Sequence, residues 1–159
     1  MSTELDSLYQ EIILDHYRRP HHRGLAEAFD AESHHVNPTC GDEVTVRVLL
    51  GDGPDFTVLG VSHEGLGCSI SQASTSVMSD LVDGRPLRDA LQAQEAFLAL
   101  MQSKGAVEPD EDVLEDAIAF AGVSKYPARI KCALLGWMAF KDAAAQATAA
   151  HQEFVEEQA

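Results

Sequence analysis

Residues 43–63 read EVTVRVLLGDGPDFTVLGVSH, and the alternation in this stretch decides the fold class. Val44, Val46, Val48 and Leu50 share one face of a period-two pattern. The turn-forming GDGPD follows, and Phe56 to His63 alternates again, which predicts an antiparallel hairpin. A strand near His34 to Asn37 would extend the sheet on its N-terminal side.

Outside the hairpin the period changes to that of a helix. On the C-terminal side, after HEGLG, Ile70, Ala73, Val77, Met78 and Leu81 form one stripe. Pro86 opens a second helix carrying Leu87, Ala90, Leu91, Phe97, Leu98 and Met101. A weaker helical pattern, Val113, Leu114, Ala117, Ile118 and Ala121, follows the polar SKGAVEPDED. The last helix is predicted from Pro127 to about Ala150, with Ile130, Ala133, Leu134, Trp137, Met138 and Ala144 inward. On the N-terminal side, Leu5, Leu8, Tyr9, Ile12, Ile13 and His16 mark an amphipathic helix that Pro20 stops. The expected fold is therefore α+β, a small antiparallel sheet packed against a layer of helices.

At 159 residues the chain is expected to form one domain, residues 1–159, with a flexible acidic end over about 150–159. The acidic opening MSTELDSLYQEI lacks the basic and apolar regions of a secretory signal, which predicts a cytoplasmic protein. Its longest apolar run, CALLGWMAF, falls far short of the roughly twenty residues of a membrane span. Lys and Arg number 11 against 26 Asp and Glu, a formal net charge of −15. Such a surface repels nucleic acid and anionic membranes, so neither is an expected partner. No G-x-x-x-x-G-K-[ST] pattern occurs, which argues against a nucleotide site.

The three cysteines, Cys40, Cys68 and Cys132, are an odd number without an export signal, and so are expected as reduced thiols. Cys40 lies on a polar loop beside Gly41 and Asp42. Cys68 falls at a predicted helix N-terminus, where unpaired backbone N–H groups favour thiolate. Cys132 sits in the first turns of the last helix, near Arg129 and Lys131, and is likewise expected as a thiolate. Three unrelated cysteines, each packed as a small hydrophobe, would fit the same spacing. Together with Asp42, however, they make four ligands, the number a closed tetrahedral zinc site requires. The same donors would accommodate a [2Fe-2S] cluster. Among the histidines, His34, His35 and His63 lie nearest these positions in sequence, while His16, His21 and His22 belong to the first helix and its loop.

Four motifs in order, IILDHYRRPHHRG, NPTCGDEV, GLGCSISQASTSVMSDLVDG and YPARIKCALLGW, resemble the U-type iron–sulfur assembly proteins from about Leu5 to Phe140. The resemblance is to the SufU branch over the IscU branch, because Lys131 stands where IscU-type scaffolds have a histidine and the Cys68 to Cys132 segment is longer. It implies a SufE/IscU-like fold and one Zn2+ ion on Cys40, Asp42, Cys68 and Cys132. It also implies that Cys40 accepts persulfide sulfur from a SufS-type cysteine desulfurase, after a histidine of that partner replaces it on zinc, for delivery to the Suf cluster-assembly machinery. Arg129, from its place in ARIKC, is assigned to stabilising thiolate charge or meeting the partner. No turnover is expected without the desulfurase. Two other readings use the same residues: a scaffold for a labile [2Fe-2S] cluster, and a non-catalytic module stapled by zinc.

Overall fold

The second strand shows why the hairpin forms. Along β2, Glu43–Leu50, burial alternates residue by residue, with Val44, Val46, Val48 and Leu50 inside. Strand β1, Ala31–Val36, and strand β3, Val58–Leu66, flank it in an antiparallel sheet of order β1-β2-β3. His35 faces Val44 and Val46 faces His63 across the two ladders. The register shifts between Leu49 and Leu50, where the chain turns into GDGPD. These features come from a computed structural model that describes residues 3–158, with side chains over 5–152.

The helices are α1, Thr3–Arg18; α2, Ser69–Val82; α3, Leu87–Gln102; α4, Glu111–Leu114; and α5, Pro127–Gln158. Helix α5 lies across β1 and β2, α2 packs beside α5 and β3, and α1 covers α2. Trp137 of α5 is fully buried, stacked on Phe97 of α3 with centroids 4.2 Å apart and planes within 6°. Its indole N–H donates to Ser74 Oγ of α2 at 2.9 Å, and that hydroxyl donates to the Ala133 carbonyl at 2.7 Å. The one polar atom of the largest core side chain is thereby paired, and the pairing ties α2 to α5.

Two elements depart from the sequence reading. The weak helix after SKGAVEPDED is only one α turn, α4, followed by a 3-10 helix over Glu115–Lys125. Glu115 takes a φ of +47°, which ends the α ladder, and its carboxylate pairs with Arg85. The last helix runs past Ala150 to Gln158 because DAAAQATAA is rich in the best helix former, with Ala143, Ala144 and Ala147 buried against the sheet side. The backbone of 150–158 is therefore helical, while the side chains of the acidic end, 153–159, lie outside the described residues. No described helix is long and apolar enough to cross a membrane.

Close approach of α2 and α5 depends on Gly136. A Cβ there would collide with Thr75 Oγ1 and stand 2.9 Å from Thr75 Cβ, and Thr75 is buried with its hydroxyl donating to the Ser71 carbonyl. Gly136→Ala should lower the unfolding free energy by about 1–3 kcal/mol through overpacking. Adding Thr75→Ala should recover part of that loss, giving a coupling of at least about 0.5 kcal/mol in a urea-denaturation double-mutant cycle. Strict additivity would place the strain elsewhere.

Candidate metal centre

Three separate elements deliver the thiols to one place. Cys40 stands on the loop between β1 and β2, Cys68 caps the N-terminus of α2, and Cys132 lies in the second turn of α5. The β1–β2 loop is built by Asn37, whose side-chain oxygen accepts from Thr39 N–H at 3.1 Å and whose carbonyl accepts from Gly41 N–H at 2.8 Å. Gly41 completes the turn at φ +77°, a conformation that favours glycine and holds Cys40 at the exposed tip.

Cys40 Sγ is 4.0 Å from Cys132 Sγ. The ligand atoms of Cys40, Asp42 and Cys132 all lie within 4.8 Å of one another. Cys68 adjoins this set through its backbone N–H, which donates to an Asp42 carboxylate oxygen. The Cys68 thiol also contacts Ser71 Oγ at 3.9 Å, and that hydroxyl donates to the Cys68 carbonyl at 3.1 Å. Gly67 makes the entry to α2 possible, because a Cβ there would strike Ser71 Oγ and approach Asp42 Cγ to 3.2 Å. Sequence reading had no signal for Ser71 or Gly67, whose roles exist only through this contact.

Asp42 is buried, and its Oδ1 accepts from Cys68 N–H at 3.3 Å. Burial pushes its carboxyl up, but the neighbouring Cys68 and Cys40 thiols, the Cys68 N–H and the Cys132 thiol outweigh it and hold the carboxyl below its ordinary range. Its Oδ2 is buried without a hydrogen-bond partner. An orphaned carboxylate oxygen beside three converging thiols is costly unless something positive completes it. The donor set, sulfur with one carboxylate, therefore fits a zinc ion.

Cys132 corrects an expectation. It was expected as a thiolate, but burial pushes its thiol up to about 12, with the Cys68 and Cys40 thiols adding to the shift. It is 3% exposed, and its Sγ lies 3.8 Å from the Ala128 carbonyl, a contact that suits the protonated thiol. Without a cation the neighbouring Cys68 and Cys40 thiols discourage Cys132 from ionising.

Arg129 is exposed and makes no side-chain hydrogen bond or ion pair among the described residues. It lines an open groove of about 830 Å³ with Tyr9, Ile13, Ser69, Ile70 and Tyr126, directly beside the start of α2. The histidines nearest in sequence do not join the thiols. His34 pairs with Thr45 Oγ1 at 2.8 Å, His35 with Asp142 at 3.2 Å, and His63 donates to the His21 carbonyl at 2.7 Å.

A three-stranded sheet under a helical layer, with thiols and a buried carboxylate meeting at one end, defines the class to which comparison assigns the chain. Residues 8–133 match the family model of the NifU-like N terminal domain, and the chain belongs to that family. Within it, the chain is 40% identical to the zinc-dependent sulfurtransferase SufU of Bacillus subtilis, covering 91% of this chain and 95% of that protein. It is 37% identical to the iron–sulfur cluster assembly scaffold protein IscU of Streptococcus pyogenes, over 89% and 85% of the two chains. Among solved structures, a SUF-system assembly scaffold protein from Fervidobacterium islandicum superposes with a TM-score of 0.73 at 37% identity, covering 86% of this chain and 96% of that one. A NifU-like N-terminal domain from Brucella abortus gives 0.79 at 28% identity, over 91% and 96%. The U-type resemblance and the α+β fold read from the sequence are thus borne out.

The thiol environments predict an order of reactivity. In chelator-treated protein at pH 8, iodoacetamide should label exposed Cys40 at least about 100-fold faster than Cys132, because only the thiolate alkylates and Cys132 is both buried and held protonated. Peptide mapping over time measures both rates, and equal rates would contradict the burial of Cys132.

Proposed function

We propose that the chain is a zinc-dependent sulfur acceptor that takes persulfide sulfur from a SufS-type cysteine desulfurase and passes it to the Suf iron–sulfur assembly machinery. The observation that carries this reading is the contrast within the site. Cys40 is exposed on a loop tip, whereas Asp42 and Cys132 are buried behind it, and the thiols converge on an unpaired carboxylate oxygen.

Cys40, Asp42, Cys68 and Cys132 would hold the zinc. When bound, the ion supplies the positive charge that keeps thiols deprotonated at neutral pH. The transfer belongs to Cys40. Its thiolate attacks the outer sulfur of the partner's persulfide, the partner's S–S bond breaks, the partner's cysteine leaves as thiolate, and Cys40 carries the new persulfide. Arg129 is a positioning residue in this reading, set in the open groove beside α2 where a partner segment would enter and pair its charge. The names of the related SufU and IscU proteins support both the sulfur-relay reading and its alternative, a scaffold for a [2Fe-2S] cluster on the same four residues.

Protein purified anaerobically without added metal should contain about one zinc per chain and negligible iron, since a closed thiolate site fills with zinc. Iron with matching acid-labile sulfide would favour the scaffold instead. With a SufS-type desulfurase and cysteine, the wild-type chain should gain one sulfur atom in intact mass and stimulate turnover, while Cys40→Ser should reduce both to background. A Cys40→Ser protein that still stimulates fully would overturn the acceptor assignment.

A further inference from the structure

A second group of ligands lies at the other end of α2. From Cys68 to Asp80 along that helix is about 18 Å at 1.5 Å per residue, so the two sites share no ligand. At this end one ring nitrogen each of His16 and His21 and a carboxylate oxygen of Asp80 all lie within 4.8 Å of one another. The three come from separate pieces of chain: His16 from the last turn of α1, His21 from the loop after it, and Asp80 from the last turn of α2.

The arrangement around them is that of a supported site. Ser76 Oγ is 2.8 Å from His16 Nδ1 and accepts the His21 backbone N–H at 2.7 Å, so one buried hydroxyl places both histidines. With Nδ1 held by Ser76, Nε2 is the nitrogen of His16 left to bind. His21 Nδ1 contacts Asp80 Oδ2, while His22 Nε2 holds the other oxygen, Oδ1, at 3.1 Å. The His16 and His21 rings lie 4.6 Å apart between centroids. The cluster opens into a cleft of about 220 Å³ lined by His16, Asp80, Glu115 and Asp116. Those carboxylates give the opening a negative field that draws cations.

We propose that His16, His21 and Asp80 form a second divalent-metal site of nitrogen and oxygen donors, fitted to a borderline ion such as zinc, cobalt or nickel and separate from the thiol centre. Two imidazoles and a carboxylate leave coordination positions for water from the cleft. Bound metal would tie the end of α1 and its loop to α2.

Cobalt distinguishes the two centres. Protein as purified without added metal, carrying about one zinc per chain, is titrated with Co2+ alone, in visible and near-ultraviolet absorption. The expected result is a weak d–d band saturating near one added ion per chain, without a thiolate-to-cobalt charge-transfer band. His21→Ala and Asp80→Asn, both at exposed positions, should each weaken binding at least about 100-fold, and His22→Ala about 10-fold. His16→Gln should also weaken it, with circular dichroism and thermal midpoint confirming its fold, and His151→Ala should leave it unchanged. No d–d band, a band that survives in both His21→Ala and Asp80→Asn, or a charge-transfer band alone would overturn the proposal. A thiol centre that fails to retain zinc would show as the charge-transfer band, and so is read separately.

Discussion

Helices α2 and α5 can lie close only because Gly136 has no side chain where it meets Thr75. That contact, with the Trp137–Ser74–Ala133 hydrogen bonds, holds the two helices against each other. Cys68 is at the start of one and Cys132 in the second turn of the other, so the distance between two thiols is decided by core packing well behind them. Side chains in a close-packed interior cannot slide independently. The site inherits its precision from a glycine that touches no ligand.

Much of the fold was legible because it rests on short-range patterning. The alternation of Val44, Val46, Val48 and Leu50 and the stripe of Ile70, Ala73, Val77, Met78 and Leu81 report which face is buried without reference to the rest of the chain. The 3-10 segment was not legible, since the positive φ at Glu115 that interrupts its helix belongs to a turn paired with distant Arg85. The length of α5 was underestimated because an alanine-rich run carries little contrast between faces, although its propensity was plain.

The candidate site divides in the same way. Cys40, Asp42, Cys68 and Cys132 stood out by residue type; the structure places ligand atoms of Cys40, Asp42 and Cys132 within 4.8 Å of one another, and the Cys68 N–H donates to Asp42. Their ionisation was misjudged for Cys132, because adjacency to Lys131 in sequence says nothing about which way a helical side chain faces. Lys131 is exposed while Cys132 is buried, one step and a large rotation apart on the helix. The histidines show the converse. His34, His35 and His63 lie nearest the cysteines in sequence but pair elsewhere, whereas the side chains that gather, His16 and His21 with Asp80, join residues about sixty positions apart.

Strand β1 and helix α5 run side by side in opposite directions and are fastened at three heights. His151 near the end of α5 meets Asp30 just before β1 at 2.8 Å, Ser33 and His35 grip Asp142 at mid-length, and Cys40 faces Cys132 at the far end. Each attachment joins residues far apart in sequence, so the three together hold strand and helix in one register. The loop tip that carries Cys40 lies past the end of the strand, at the last of these attachments. Its thiol is the exposed member of the pair, on the side where solvent, or another protein, lies.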